Sequence, residues 1–80
     1  MKAEGITVYP NPFEDVLTVK GLNVNDQVNL TDLTGRVVRT WQSTAPVQAF
    51  TTSNLSPGYY VLKVMNENGV VRVNVPVVKR

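Results

Sequence analysis

The sequence predicts an all-β fold of about seven short antiparallel strands, arranged as two sheets packed face to face. Three observations carry this expectation. Turn signals recur at short intervals: Pro10-Asn11-Pro12, Asp32-Leu33-Thr34-Gly35-Arg36, Asn54-Leu55-Ser56-Pro57-Gly58 and Asn66-Glu67-Asn68-Gly69. The β-prone runs between them mostly alternate apolar with polar, which is the period of a strand with one buried face. No segment holds apolar residues at a 3.6-residue period long enough for a helix.

Each element follows from local chemistry. Ile6-Thr7-Val8-Tyr9 is the first strand, with Ile6 and Val8 on one face. Pro10 and Pro12 end it, because proline has no N–H to give a ladder. Residues 16–20 form the second strand, with Leu17 and Val19 inward, and Gly21 stops it. Residues 23–26 are loop; residues 28–32 alternate again, with Val28 and Leu30 inward. Leu33-Thr34-Gly35 is a tight reversal in which Gly35 supplies the positive φ of a hairpin. Residues 37–41 return with ambiguous facing, since Val37 and Trp41 lie on one side and Val38 on the other. The polar stretch 42–48, which holds Pro46, is a loop before a short strand at 49–51, and Leu55 fills the core from the next turn.

Gly58 opens the strongest strand, residues 59–65, with Tyr60, Leu62 and Val64 on one face and Tyr59, Val61 and Lys63 on the other. Asn68-Gly69 marks a hairpin. The last strand, residues 70–78, places Val71, Val73, Val75 and Val77 together, with Arg72 and Asn74 outward. Pro76 marks an edge position, a bulge or the strand's end. The core expected from these patterns is Val8, Leu17, Val19, Val28, Leu30, Phe50, Leu55, Tyr60, Leu62, Val64, Val71 and Val73.

Composition narrows the function. At 80 residues the chain is one domain, near the size at which a core alone just holds a fold. Residues 1–5 read as the remnant of a linker, and 6–80 as a domain taken from a larger protein. The chain has no cysteine and no histidine. That leaves no disulfide or thiolate site, and neither the usual general base near neutral pH nor an imidazole metal ligand. An apolar fraction of 42% is that of a globular domain. Eight basic and six acidic residues give a net charge of +2, too small to imply nucleic acid. No apolar run approaches the ~20 residues of a membrane-spanning helix, so no direct membrane insertion is expected. No acid follows Glu67, whereas Arg72, Lys79 and Arg80 do, so the C-terminal end is locally cationic.

The acids Glu4, Glu14, Asp15, Asp26, Asp32 and Glu67 all fall in turns or at strand ends, and no spacing pairs two of them. An enzyme is therefore not expected, nor are a cofactor or a metal; Asn66-Glu67-Asn68-Gly69 lacks the carboxylate ladder of a calcium loop. The aromatic residues Tyr9, Phe13, Trp41, Phe50, Tyr59 and Tyr60 are either core or a sugar-stacking platform, with Trp41 and Tyr59 the two open to exposure. The alternation puts Tyr60 in the core.

Longer motifs then stand out in order. Val8-Tyr9-Pro10-Asn11-Pro12-Phe13 comes first, followed by the hydrophobic strand Leu17-Thr18-Val19. Asp32-Leu33-Thr34-Gly35-Arg36-Val37-Val38 is next, then Leu55-Ser56-Pro57-Gly58-Tyr59-Tyr60-Val61-Leu62-Lys63-Val64. Asn68-Gly69 and a basic close, Val77-Val78-Lys79-Arg80, complete the set. Each alone is turn grammar that any β protein uses. Together, in this order and spacing from Ile6 to Arg80, they resemble the type A C-terminal sorting domain of the type IX secretion system of Bacteroidetes. They match its "vYPNP" opening, its "D-x-x-G-R/K-x-V" hairpin and its "L-x-x-G-x-Y-x-v-k-v" strand. The chain departs from the family in one place: Pro76 stands before the final apolar pair, where lysine or another strand former is usual.

The resemblance implies a seven-stranded immunoglobulin-like antiparallel β-sandwich that acts as a non-enzymatic sorting signal. Such a domain sits at the C-terminus of a secreted protein and carries its cargo from the periplasm across the outer membrane to the cell surface or medium. The implied partners are the secretion machinery, an outer-membrane shuttle protein and a surface sortase that usually removes the domain. The implied recognition residues are Val77, Val78, Lys79 and Arg80, a cationic end that steers onto an acidic receptor and an apolar edge that adds to a sheet. Pro10, Asn11, Pro12, Asp32, Gly35, Arg36, Gly58, Tyr60 and Gly69 are assigned to turns and fold. Pro76 leads to the expectation that Lys79 and Arg80 lie at or beyond the frayed end of the last ladder. On that expectation, removing residues 77–80 costs the fold little. Two other functions fit the residues: a carbohydrate-binding or adhesive module, which needs exposed coplanar rings, and a structural spacer.

Overall fold

A computed structural model describes residues 2–3 and 5–80. Its strands are β1 (Lys2–Ala3), β2 (Ile6–Tyr9), β3 (Val16–Lys20), β4 (Gln27–Thr31), β5 (Val37–Gln42), β6 (Val47–Thr51), β7 (Gly58–Met65) and β8 (Val71–Lys79). They form two four-stranded sheets, in the orders β1-β2-β3-β6 (sheet A) and β5-β4-β7-β8 (sheet B). Every strand pairing is antiparallel, and no helix occurs among the described residues. From Ile6 onward this is the seven-stranded sandwich expected. Lys2–Ala3, within the segment whose composition reads as linker, pairs with β2. The chain changes sheet between β3 and β4, again between β5 and β6, and again between β6 and β7.

Alternation positions the core. Ile6, Val8, Leu17, Val19 and Phe50 from sheet A meet Val28, Leu30, Tyr60, Leu62, Val64, Val73, Val75 and Val77 from sheet B, with Leu22, Leu55 and Phe13 entering from loops. All the expected core residues are buried except one. Val71 is 45% exposed. A bulge explains the difference: Val64 pairs with Val73 but Met65 pairs with Val71, so Arg72 is an extra residue and the side-chain parity slips there. A second bulge settles the facing of β5. Leu30 pairs with Arg39 and Thr31 with Val37, leaving Val38 without a partner. Val38 and Trp41 therefore both pack against the core, and Trp41 stacks on Phe50 with ring centroids 4.5 Å apart.

The first bulge also corrects the outward assignment of Arg72. Its guanidinium reaches back across the sandwich and donates to Asp26 Oδ2 and to the Gly21 carbonyl. Asp26 is 1% exposed and also accepts from the Asn23 amide at 2.8 Å. A buried carboxylate is tolerated only with such partners.

The two hairpins of sheet B share one construction. Asp32 Oδ1 accepts from the amides of Thr34 and Arg36, and Asn66 Oδ1 from the amides of Asn68 and Val70. In each case the amide three residues on donates to the backbone carbonyl of the Asp or Asn, and Gly35 or Gly69 there takes positive φ, 89° or 82°. The Asn68-Gly69 signal thus belongs to a three-residue loop of the kind that ends in a left-handed glycine. Gly21, at φ 97°, has a further constraint: a Cβ would sit 2.1 Å from the Gly5 carbonyl oxygen.

Candidate functional site

Of the residues singled out at the C-terminus, Val77, Val78 and Lys79 lie on β8, where the pleat divides them, and Arg80 follows it. Val77 pairs with Tyr60 and Lys79 with Gly58, and both point inward. Val77 is fully buried. Lys79 is buried too, with Nζ donating to the Arg80 carbonyl at 3.0 Å. Val78 is half-buried opposite Tyr59 on the outer face, and Arg80 is exposed.

The end of the strand is anchored, which corrects the expectation of fraying on which a cheap truncation rested. The Pro10-to-Phe13 segment leaves sheet A and runs along the free edge of β8. Asn11 Nδ2 donates to the Pro76 carbonyl at 3.4 Å, and Asn11 Oδ1 accepts from the Val78 amide at 3.0 Å. The Phe13 amide donates to the Val78 carbonyl, and the Arg80 amide to the Phe13 carbonyl, both at 2.8 Å. Phe13 and Lys79 form a parallel bridge. Phe13, absent from the expected core, is fully buried and pins the segment. Both X–Pro bonds in it, Tyr9–Pro10 and Asn11–Pro12, are cis.

This arrangement also explains Pro76. In an antiparallel ladder a residue's N–H and C=O share one edge. The Pro76 carbonyl meets Asn11, so its missing N–H lies on the side away from β7, where no ladder bond is lost. Of the three meanings open to it, Pro76 marks the edge. The expected sheet addition at this end meets a difficulty, since residues 76–80 of the edge are already occupied or lack a donor.

The outer face of sheet B is different in character. Val61 pairs with Pro76 and Tyr59 with Val78. Thr31 pairs with Val61 on one side and Val37 on the other. Tyr59 is 65% exposed.

The remaining candidates separate in space. Phe13, Phe50 and Tyr60 are buried, and the Tyr60 hydroxyl donates to the Ser56 carbonyl at 2.6 Å. The strongly exposed rings, Tyr9 and Tyr59, sit on the outer faces of opposite sheets, while Trp41 faces the core. No pair among them is coplanar and exposed together. A shallow groove of about 750 Å³ is lined by Asn25, Gln27, Thr40, Trp41, Gln42, Asn66, Glu67 and Gly69. It holds one carboxylate, that of Glu67, which accepts from Asn25. Among the described residues no group of three or more acids is placed to hold a metal.

The Asp32 carboxyl is held as an anion by its own hairpin. The Thr34 hydroxyl, donating at 2.6 Å, and the amides of Arg36 and Thr34 hold its carboxyl below the usual value of 3.8, with Arg36 adding charge attraction. This is a structural carboxylate, locking a hairpin.

Comparison with known proteins gives a family and a fold. The family described as secretion system C-terminal sorting domain matches residues 7–78. Among solved structures, the chain is similar to PorZ, described as an essential bacterial surface component of the type-IX secretion system of Porphyromonas gingivalis. The two share 23% sequence identity with a TM-score of 0.78, over 96% of this chain and 12% of that one. That likeness carries the fold alone. No curated protein matches the chain.

Proposed function

The chain belongs to the secretion system C-terminal sorting domain family, and from that premise we propose how it works: as a non-enzymatic address on an exported cargo, read by the type IX machinery as a folded surface. The match over residues 7–78 carries the reading. A secreted or cell-surface destination goes with the family; transit through the periplasm, an outer-membrane shuttle and removal by a surface sortase belong to the proposal.

The four terminal residues divide by role. Val78 and Arg80 face solvent and are available to a receptor, whereas Val77 and Lys79 face inward and hold the strand in place. A fixed cationic end costs less to dock than a loose one, because little ordering entropy is lost on binding.

The test is a reporter protein with an N-terminal signal peptide, fused upstream of residues 6–80 and expressed in a Bacteroidetes host with an intact type IX system. The reporter is expected at the surface or in the medium, and in the periplasm when the domain is omitted. Export that is indifferent to the domain would return it to the role of spacer.

A further inference from the structure

Resting on that reading, we propose that the outer face of sheet B is the docking surface, and that its partner is a protein surface with an apolar centre and a carboxylate rim. Two adjoining rows of side chains make the centre. One row runs Pro76, Val61, Thr31, Val37 across the sheet, and the next pairs Val78 with Tyr59. Scattered exposed apolar residues need no explanation, but a contiguous patch marks an interaction site. The outer face of sheet A provides the contrast. Among the described residues its large exposed apolar side chains fall one to a row, Tyr9 in the row of Thr18 and the small Ala49, Val16 beside Thr51 and Val47 beside Lys20.

Charge fixes the partner's rim. β4, β5, β7 and β8 contain no aspartate or glutamate. Lys63 lies on the same face one row beyond Val61, opposite Asn74, and Arg80 follows Val78. Arg36 at the adjacent turn is already paired with Asp32 at 3.3 Å. Among the described residues neither Lys63 nor Arg80 has an ion-pair partner, so two cations border the patch and the complementary surface carries acids. A bilayer is the poorer fit, because two cations hold an anionic membrane only weakly and stable attachment needs a larger basic cluster.

The experiment uses the export assay with surface variants whose thermal midpoints are measured alongside. Tyr59→Ser with Val61→Thr is expected to lower exported cargo about tenfold, as loss of an aromatic anchor does at a protein interface. Tyr59→Ser alone, at a position already open to solvent, guards against misfolding as the cause. Lys63→Glu with Arg80→Glu is expected to lower export, and Lys63→Arg to preserve it. The control on sheet A, Val16→Ser with Val47→Ser, is expected to export normally. Wild-type export with normal export of every sheet B variant would overturn the docking face while leaving the sorting function standing. No export by the wild-type domain would instead overturn the function. Binding of the wild-type domain to phosphatidylglycerol-containing vesicles, abolished by Lys63→Glu with Arg80→Glu, would replace the protein partner with a membrane.

Discussion

Single residues in this domain act through hydrogen bonds that satisfy otherwise stranded backbone groups. Tyr60 buries its ring and donates to the Ser56 carbonyl. Tyr60→Phe keeps the ring and is expected to cost about 1 kcal/mol. Tyr60→Ala also loses the ring and is expected to cost about 3–5 kcal/mol. Urea denaturation of the two variants separates the bond from the packing; an unchanged midpoint for Tyr60→Phe would mean that the hydroxyl contributes nothing. Asp32 offers a test by pH. Its pKa in the folded domain lies below the ordinary 3.8. A depressed carboxylate contributes stability above its unfolded pKa and loses it as pH falls through the folded one. Thermal midpoints of wild type and Asp32→Asn are therefore expected to differ above about pH 4 and to converge as pH falls below the usual carboxylate value. A difference that stays constant to low pH would remove the ionised carboxylate from the account.

At the scale of elements, the last strand carries more of the fold than its position suggests. Val77 is fully buried, Lys79 is buried, and the Phe13-to-Arg80 bond ties the end to another segment. Removing residues 77–80 exposes part of the core and strips partners from Asn11 and Phe13. A loss of at least about 3 kcal/mol is expected, from the burial of one valine plus orphaned hydrogen bonds. Denaturant midpoints of the truncated and full domains measure it, and an unchanged midpoint would restore the frayed end. Loss of export on this truncation thus reports folding as well as recognition, which is why the outward substitutions are the sharper probe of docking.

Elements were also where the sequence could and could not be read. Turn chemistry and alternation are local, so Ile6–Tyr9, Val16–Lys20 and the Asp32 and Asn66 hairpins were legible. Bulges are not. Nothing in Val70-Val71-Arg72-Val73 signals that Arg72 is extra, and one inserted residue moved Val71 out and turned Arg72 toward Asp26. Phe13 follows two prolines and has no periodic neighbours, so only tertiary structure shows that it is core. The inward lysine at 79 runs against the usual placement of a charge. A clue existed in Asn11, an amide fixed between two prolines, which is the kind of residue that serves an edge.

For the whole molecule, the consequence is that the two ends of the domain meet. The opening motif crosses from sheet A to close the edge of β8, so the residues with which the sequence resemblance opens and closes form one structure. On the docking face proposed above, the sorting signal would have a rigid border, and its presentation would depend on the integrity of the sandwich. Amide hydrogen exchange at Val78 and Arg80 tests this most directly, because among the described residues these N–H groups donate to Asn11 and Phe13 of the opening segment. An anchored end predicts protection of both amides by about a hundredfold or more over an unstructured chain, an opening free energy of about 3 kcal/mol. Exchange of both at the rate of an unstructured peptide, with the Leu62 amide still protected, would contradict it.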